Sequence, residues 1–238
     1  MVIYGINPTI EALRSGRVKE LLVSKQRRQG LTEVVRLADK KNVRVERVEP
    51  EKLERLSVGG NHQGVVAIME LPVKATVAEL TKVSENPLIV VLDGIEDPHN
   101  LGAIARSAEV AGASGLVVQT RRSASLDGAA VKASAGALAY LPVVSVVNVA
   151  RSLDELKALG VWTVGLVAEA EQSIYDVDMN VPVALVVGAE DRGVRRLVRE
   201  RCDWLVSLPR QGRIDSLNAS VAAGVALYEV VRQRHSDN

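Results

Sequence analysis

The sequence has few of the residues that define disulfide-rich, membrane-spanning and base-stacking proteins. Its single cysteine, Cys202, cannot form an internal disulfide and has no cysteine partners for a zinc site, so we predict neither a disulfide framework nor a metal site. Phenylalanine is absent and aromatic residues make up 3% of the chain, which argues against an aromatic platform for stacking RNA bases. There is no apolar run long enough to span a bilayer and no charged-then-apolar leader, so we expect a cytoplasmic protein with no membrane partner.

Excess charge of one sign is also lacking. The formal net charge is +1, which does not indicate bulk attraction to nucleic acid. Basic residues do form local clusters, each of which could contact phosphates or belong to a solvated surface. These clusters are KQRR (25–28), RR (121–122), RGVRRLVRER (192–201) and RQGR (210–213).

The first part of the chain alternates helix and strand patterns. In NPTIEALRSG, Asn7 as N-cap and Pro8 at the first helical position are typical of a helix start, and Gly16 of a helix end. The strand patterns VKELLVSK, VRVERV and HQGVVAIME alternate with the helical patterns GLTEVVRLADKKN and PEKLERLS. These patterns predict a small α/β domain over residues 1–71, a linker over 72–86 and a second domain over 87–238.

The second domain contains six apolar runs that we interpret as strands buried on both faces. Continuous Val and Leu runs separated by helical patterns are typical of a parallel sheet covered by helices on both sides. Ligands bind such sheets beyond the carboxyl ends of the strands, so we expect a site after Asp93, Gly188 and Leu208. The runs are LIVVLD (88–93), GLVVQ (115–119), LPVVSVV (141–147), VWTVGLVA (161–168), VALVVG (183–188) and DWLVSLP (203–209).

The first of these ligand-side loops is DPHNLGAIARSAEVAGASGLVV (97–118). Asn100 can cap a helix that begins at Leu101, and Gly112 can end it. Arg106 lies about 140° around the helix from Leu101, so it points away from the apolar stripe of Leu101, Ile104, Ala105, Ala108 and Ala111. A cap with a solvated arginine and a polar pair at a ligand crevice account equally well for this spacing.

The second loop follows Gly188 and leads through Glu190 to a helix predicted to start around Gly193. Its glycine spacing resembles that of a phosphate loop, but Val194 and Arg195 stand where Lys and Ser or Thr would be required, so a nucleoside triphosphate site is improbable. The glycine allows a close backbone approach to some ligand. Taken alone, Glu190 is more simply an acidic residue at a helix start.

The third loop, RQGRIDSLNASVAAGVALYEVVRQR (210–234), opens a long helix. Asp215 or Ser216 can cap it, and a surplus of small residues suggests that another backbone approaches closely. We expect its apolar stripe to consist of Leu217, Val221, Val225, Tyr228 and Val231.

Together the three segments resemble the three motifs of the SpoU (TrmH-type) family of RNA ribose 2′-O-methyltransferases. The motifs stand here as NLGAIARSAEVAGASGLVV, LVVGAEDRGVRRLVRERCDWLVSLP and SLNASVAAGVALYE, while YGINPTIEALRSG and NHQGVVAIME resemble the front domain of RlmB-type members. The resemblance implies an α/β methyltransferase domain with a trefoil knot (the SPOUT fold) that binds S-adenosyl-L-methionine, and a homodimer. It also implies an N-terminal RNA-binding domain similar to ribosomal proteins that bind kink-turns.

The resemblance also implies roles for individual residues. Gly188, Gly193, Leu208 and Leu217 correspond to cofactor contacts, and Arg195, Arg196, Arg199 and Arg213 are candidates for RNA phosphate contacts. Where the family usually has Pro-Met after the last strand, this chain has Pro209-Arg210, which alters the cofactor pocket or adds a phosphate contact. The positions used for catalysis and substrate are Asn100, Arg106, Glu190, Ser216 and Asn218.

The implied reaction is in-line attack of a ribose 2′-oxygen on the methyl group of the cofactor, within a guanosine of large-subunit (23S) ribosomal RNA. A guanidinium is a poor base near neutrality, so Arg106 either is tuned by a nearby phosphate or stays cationic and stabilises the developing alkoxide; we favour stabilisation. The alternatives are a tRNA ribose 2′-O-methyltransferase and a non-catalytic RNA-binding or ribosome-assembly factor.

Overall fold

The structure is a computed structural model that describes residues 1–27, 30–69, 75–121, 123–126 and 128–236. It contains two sheets, one of four strands in the N-terminal part and one of six strands in the C-terminal part. The α/β architecture and the parallel C-terminal sheet predicted from the sequence are confirmed. Among the described residues, no helix is both long enough and apolar enough to cross a membrane.

The N-terminal sheet has the order β1-β4-β2-β3 and mixes both strand orientations. Strand β4 pairs antiparallel with β1 and β2, whereas β2 and β3 are parallel. Apart from the three-residue β1, every element of this domain was predicted. The elements are β1 (Val2–Tyr4), α1 (Ile6–Arg14), β2 (Val18–Ser24), α2 (Thr32–Lys40), β3 (Arg44–Val48), α3 (Pro50–Leu56) and β4 (Val65–Met69).

The start of α1 differs from the prediction. The helix begins at Ile6 behind Gly5, so Asn7 lies inside the first turn and makes no capping bond. Gly5 has φ of 90°, a conformation that favours glycine and that turns the chain sharply out of β1. The helix end was predicted correctly, since Gly16 lies directly after the C-cap Ser15 and has φ of 74°.

The predicted linker over 72–86 contains a packed helix. Helix α4 (Val77–Leu80) starts with a capping box in which Thr76 and Glu79 satisfy each other's backbone N–H groups. Val77 and Leu80 are buried against the second domain, so this part of the segment belongs to the fold. The start of the predicted linker falls on residues 70–74, which lie outside the described residues.

The C-terminal sheet is parallel throughout and has the order β10-β8-β9-β5-β6-β7. All residues of the two central strands, β5 and β9, are buried, as their unbroken apolar sequences predict. Asp93 pairs in register with Gly188, so the last residues of these strands lie side by side. The strands are β5 (Leu88–Asp93), β6 (Gly115–Gln119), β7 (Val143–Val146), β8 (Trp162–Leu166), β9 (Val183–Gly188) and β10 (Trp204–Val206).

The helices of this domain cover both faces of the sheet. The longest are α5, which follows β5, and α9, which packs against α5 and β9. Two short 3-10 helices lie at 137–139 and 174–176. The α-helices are α5 (Pro98–Val110), α6 (Gly128–Ala133), α7 (Val149–Ala158), α8 (Arg196–Arg199) and α9 (Ala219–Ser236).

Asn100 does not cap α5, contrary to the prediction. The cap is Asp97, whose side chain accepts a hydrogen bond from the His99 N–H at 2.9 Å, and Pro98 occupies the first turn. Asp followed by Pro is a stronger start signal than Asn followed by Leu, because proline fixes a helical φ and lacks an N–H to satisfy. The Asn100 amide is therefore free for another partner.

Helix α9 also departs from the prediction at its start and in its buried face. Asn218, and not Asp215 or Ser216, accepts hydrogen bonds at the start, from the Ser220 N–H at 2.9 Å and the Val221 N–H at 3.3 Å. The predicted stripe does not face the core, since Leu217, Val221, Val225 and Tyr228 are each at least 38% exposed. The face that packs inward consists of Ala219, Ala223, Ala226, Leu227 and Val230.

The two domains contact each other through α6 and the segment that follows it. The Tyr140 hydroxyl lies 3.0 Å from the Glu11 carbonyl oxygen and 3.1 Å from Glu11 Oε2. Tyr4 packs against Gly128, where an added Cβ would lie 2.8 Å from the tyrosine ring. The N-terminal domain therefore rests on the element that packs against α5.

Candidate active site

An ion pair to a buried carboxylate holds the loop after β9 against the end of β5. Asp93 is fully buried and accepts hydrogen bonds from the Arg195 backbone N–H and from Nε, each at 2.8 Å. Arg195 Nη2 also donates to Gln119 Oε1 at 2.8 Å, at the end of β6. Although Arg195 was predicted to contact RNA phosphate, its guanidinium is committed to Asp93 and Gln119, and we assign it to holding this loop.

The loop itself crosses directly over the end of β9. A Cβ added to Gly188 would lie 2.0 Å from the Gly193 carbonyl carbon and 2.1 Å from the Val194 nitrogen, so glycine is required there. The Gly193 N–H donates to the Ala189 carbonyl at 2.8 Å, which closes a tight turn around Glu190. The helix predicted to start around Gly193 begins later, at Arg196, because Gly193 has φ of 60° and Arg195 is extended.

Three predicted site residues from the three motifs form one hydrogen-bond network. Asn100 Nδ2 donates to Glu190 Oε1, and Asn218 Nδ2 donates to Asn100 Oδ1 at 3.0 Å. Asn100 is 8% exposed, whereas Glu190 and Asn218 are exposed. The network fixes the orientation of the Asn100 amide and joins α5, the loop after β9 and the start of α9.

A cavity of about 270 Å³ lies beside this network, beyond the carboxyl ends of β8, β9 and β10. All four residues predicted to contact a cofactor line it, namely Gly188, Gly193, Leu208 and Leu217. Glu190 and Ser216, predicted for catalysis and substrate, line the same cavity. The structure thus brings together residues that lie up to 29 positions apart in the sequence.

The cavity combines an apolar wall with charges of both signs. Leu166, Val187 and Leu208 supply apolar surface, and both acidic and basic side chains belong to the lining. Such a lining fits a zwitterionic cofactor that carries a flat apolar group, a cationic centre and an amino-acid moiety. The charged lining residues are Glu169, Glu190, Asp191, Arg192, Arg199, Arg210 and Asp215.

Arg210, which the sequence resemblance marks as a departure from the expected methionine, holds the last loop of the cavity in place. Its Nη1 donates to the Asp215 carbonyl oxygen at 2.6 Å and lies 3.8 Å from the Asp215 carboxylate. The side chain therefore spans the segment that carries Ser216 and Leu217 into the cavity wall.

Other predicted site residues lie apart from the network. Arg106 is exposed on α5 and has no hydrogen-bond or ion-pair partner among the described residues. Arg196 is exposed and paired with Glu200, and Arg213 is exposed in the loop before α9. Arg199 lines the cavity, where its Nε donates to the Val194 carbonyl at 2.6 Å.

The sequence interpretation missed the segment after β8. Leu166, Val167, Ala168 and Glu169 line the cavity because β8 is the neighbour of β9 in the sheet. The rule that ligands bind at the carboxyl ends of parallel strands could have found them, had it been applied to every predicted strand. Within the described ranges, no group of three or more His, Cys, Asp and Glu side chains is arranged to hold a metal ion.

Comparison with known proteins gives two family matches that together cover most of the chain. Residues 87–228 match the SpoU rRNA methylase family, and residues 2–72 match the family described as RNA 2′-O ribose methyltransferase substrate binding. Each match coincides with a different one of the two sheets and its helices.

Individual relatives extend over nearly the full chain. RlmB of Pseudomonas putida, named a 23S rRNA (guanosine-2′-O-)-methyltransferase, is 43% identical over 98% of this chain and 96% of its own length. YacO of Bacillus subtilis, named as a candidate TrmH family tRNA/rRNA methyltransferase, is 42% identical over the same shares. The crystal structure of the SpoU methyltransferase AviRb from Streptomyces viridochromogenes, in complex with the cofactor AdoMet, has a TM-score of 0.83 at 31% identity and covers 99% of this chain and 91% of its own. This chain belongs to the SpoU rRNA methylase family.

Proposed function

We propose that this protein transfers a methyl group from S-adenosylmethionine to the ribose 2′-hydroxyl of a guanosine in large-subunit (23S) ribosomal RNA. The observation that carries the proposal is the cavity that collects Gly188, Gly193, Leu208 and Leu217 beside the Asn100–Glu190–Asn218 network. The 43% identity to an RlmB enzyme spans both domains and supports the choice of a ribosomal RNA guanosine. We place the reaction in the cytoplasm, where its RNA substrate would be met.

The residues of the cavity suit the two ends of this cofactor. Bound S-adenosylmethionine would supply a methyl group on a positively charged sulfur. Gly188 and Gly193 leave backbone accessible at the end of β9, and Leu208 and Leu217 offer apolar contact to an adenine ring. Glu190 places a carboxylate on the same wall, where it favours a cationic ligand.

Asn100 and Arg106 would act on the ribose. The 2′-hydroxyl must be held in line with the transferred methyl group and must lose its proton as it attacks. The Asn100 amide, fixed by Glu190 and Asn218, can hold the ribose or the loop around it. A cationic Arg106 would stabilise the negative charge that develops on the 2′-oxygen. Ser216 lines the cavity, and Asn218 acts through its hydrogen bond to Asn100.

Arg106 reaches such a position most simply in a homodimer. It is exposed on α5, which packs against α9, and α9 exposes Val221, Val225 and Tyr228. An apolar helix face of this kind is typical of a protein interface, and pairing two copies there would bring Arg106 to the edge of the interface. Light scattering should give twice the mass of the chain, and Val225→Asp should reduce it to the monomer mass.

We also propose the knotted topology and the domain division for this chain. Two observations support the knot: the backbone at Gly193 and Val194 lies directly over Gly188, and Leu208, Ser216 and Leu217 line the same cavity before α9 begins. Residues 1–71 would bind substrate RNA in the manner of kink-turn-binding ribosomal proteins, 72–86 would connect, and 87–238 would carry catalysis. The substrate-binding family match at residues 2–72 supports the first assignment.

The decisive experiment measures methyl transfer and maps its position. Purified protein is incubated with labelled S-adenosylmethionine and, separately, with total ribosomal RNA and total tRNA, and the modified nucleotide is located by mass spectrometry. We expect label in a single 2′-O-methylguanosine of the large-subunit RNA. Label in tRNA alone would establish the tRNA enzyme, and cofactor binding without transfer to any RNA would establish a non-catalytic factor.

A further inference from the structure

A second concave surface, here called the polar cleft, lies in the N-terminal domain. It has a volume of about 530 Å³ and is formed where β2 ends and β4 begins. Its described lining consists of polar side chains and one glycine, from the segments 24–27 and 61–64. The cleft lies outside the catalytic cavity and shares no residue with it.

Three of the lining side chains hold the two segments in place. Gln63 Oε1 accepts a hydrogen bond from the Ile6 N–H at 2.9 Å, which ties the cleft to the start of α1. His62 Nδ1 accepts from the Gly64 N–H at 3.0 Å, and Ser24 Oγ accepts from two consecutive backbone N–H groups of the first segment. The cleft is therefore a shaped surface, built by side-chain to backbone hydrogen bonds.

Three other side chains are exposed in the cleft and have no hydrogen-bond partner in the described part of the chain. These are Gln26, Arg27 and Asn61. A Cβ added to Gly64 would lie 2.9 Å from Arg27 Cδ, so the missing side chain gives Arg27 the room to lie along the start of β4. The cleft thus presents one guanidinium and two carboxamides, which together donate and accept hydrogen bonds.

The loop that forms one side of the cleft also holds strained backbone. Val58 has φ of 50° and Gln63 has φ of 53°, both in the left-handed region, and Val58 is 92% exposed. A β-branched residue in this conformation is a genuine outlier, and such strain persists where the surrounding structure enforces it. Of the two strained residues, Gln63 lines the cleft itself.

The charge of the protein is unevenly distributed between its two parts. Residues 1–69 contain 13 Lys and Arg against 8 Asp and Glu, whereas residues 70–238 contain 17 against 21. The overall charge of +1 is therefore the sum of a basic N-terminal domain and an acidic remainder, whose net charges nearly cancel. A polyanion is therefore attracted to the domain that carries the polar cleft.

We infer that the polar cleft binds an unpaired segment of the RNA substrate, with Arg27 at a phosphate and Gln26 and Asn61 at base edges. This inference rests on the proposed function and names the place where the N-terminal domain holds its RNA. Unpaired RNA is the form whose base edges are open to amide side chains, whereas duplex RNA is recognised over a longer surface by its shape. The shortage of aromatic side chains leaves edge hydrogen bonds and phosphate contacts as the means of recognition.

The test compares Arg27→Ala and Asn61→Ala in the full-length protein with Lys40→Ala. Lys40 is an exposed cation at the end of α2, so its variant removes the same charge from the same domain outside the cleft. RNA affinity is measured by fluorescence anisotropy with a looped fragment of large-subunit RNA, a duplex RNA and single-stranded DNA of matched length. Cofactor affinity is measured by calorimetry.

Arg27→Ala should weaken binding of the looped RNA by about five- to tenfold. Because one phosphate contact is lost, the slope of log K against log salt concentration should also become shallower by about one. Asn61→Ala should weaken looped RNA more than duplex RNA or DNA. Cofactor affinity should be unchanged in all variants. Equal effects of Arg27→Ala and Lys40→Ala, or equal losses for looped and duplex RNA, would overturn the inference. A wild-type protein that binds RNA and methylates none would refute the proposed function alone, because the anisotropy assay does not depend on methyl transfer.

Discussion

Arg106 is the residue whose replacement tests the proposed chemistry most directly. It lies outside the cavity lining, so Arg106→Ala should leave S-adenosylmethionine affinity unchanged. If its charge stabilises the developing alkoxide, turnover should fall on the order of 10²–10³-fold, as when one preorganised donor is removed from an active site. Initial rates of methyl transfer at saturating RNA, together with calorimetry for the cofactor, measure the two quantities separately.

A matched control for Arg106 is Arg151, an exposed arginine on α7. Arg151→Ala should retain wild-type turnover. Arg106→Lys keeps the charge but loses the planar guanidinium, so intermediate activity is expected. Full activity in Arg106→Ala would remove this residue from the mechanism.

Cys202 should be chemically inert in the folded protein. Burial raises the pKa of its thiol from the ordinary 9.0 to about 12, so the reactive thiolate is scarce at pH 8. Iodoacetamide should label the native protein far more slowly than the protein unfolded in urea, and Cys202→Ala should abolish labelling in both. Between pH 9 and 12 the unfolded chain loses a proton that the folded chain retains, so this group should lower stability as pH rises through that range.

The sequence predicts which polar residues belong to the candidate site, but it does not predict which of them contact each other. Asn100, Glu190 and Asn218 stand out as polar residues on the ligand side of predicted strands, but their hydrogen-bond network joins positions 90 and 118 residues apart. The bond between Asp93 and Arg195 spans 102 residues, and no local pattern distinguishes Arg195 from the exposed Arg196 beside it. Tertiary pairing decides which arginine remains available to a ligand.

The position of the loop after β9 depends on the absence of a side chain at Gly188. Gly188→Ala should displace the loop after β9, because the added Cβ would lie 2.0 Å from the Gly193 backbone, which cannot move aside as a flexible side chain can. We expect loss of S-adenosylmethionine binding by calorimetry, with a lower melting temperature. Gly212→Ala is the control, since no atom lies within 4 Å of its Cβ position, and it should behave as the wild type. Normal cofactor affinity in Gly188→Ala would show that the loop does not form the binding wall.

At the scale of elements, the sequence predicts strands better than helix faces. The β5 and β9 strands are apolar on both faces, and both faces are buried. A prediction therefore does not have to decide which face of these strands meets the core. Helix α9 carries apolar residues on two faces, and periodicity cannot tell which one meets the core. The small residues decide it, because Ala219, Ala223 and Ala226 let α9 lie close to the rest of the domain while Val225 and Tyr228 remain outside.

For the whole molecule, the two domains were predictable and their contact was not. The contact depends on Tyr140 reaching Glu11 over 129 residues of sequence, and on glycines that admit neighbouring side chains. A Cβ on Gly136 would lie 2.5 Å from Glu11 Cβ, for example. Helix α6 touches the N-terminal domain on one side and α5 on the other, so it connects the polar cleft domain to the helix that bears Asn100 and Arg106.

Tyr140→Phe should loosen this domain contact without unfolding either domain. The change removes a hydroxyl bonded to both the carbonyl and the carboxylate of Glu11, a contribution of roughly 1 kcal/mol or less at a partly exposed site. Burial, and then the Glu11 carboxylate, raise the pKa of Tyr140 to about 12, so the wild-type contact should persist below the ordinary value of 10.0 and weaken as pH rises through 12.

Spin labels on α2 and α7 report the distance between the domains by pulsed resonance spectroscopy. We expect a single narrow distance in the wild type and a broader distribution in Tyr140→Phe, with a raised KM for long ribosomal RNA and unchanged cofactor affinity. Tyr175→Phe, which removes an exposed hydroxyl from the C-terminal domain, should match the wild type. If the distance distribution and the KM of Tyr140→Phe both equal those of the wild type, the tyrosine does not set the orientation in which the N-terminal domain presents RNA to the catalytic cavity.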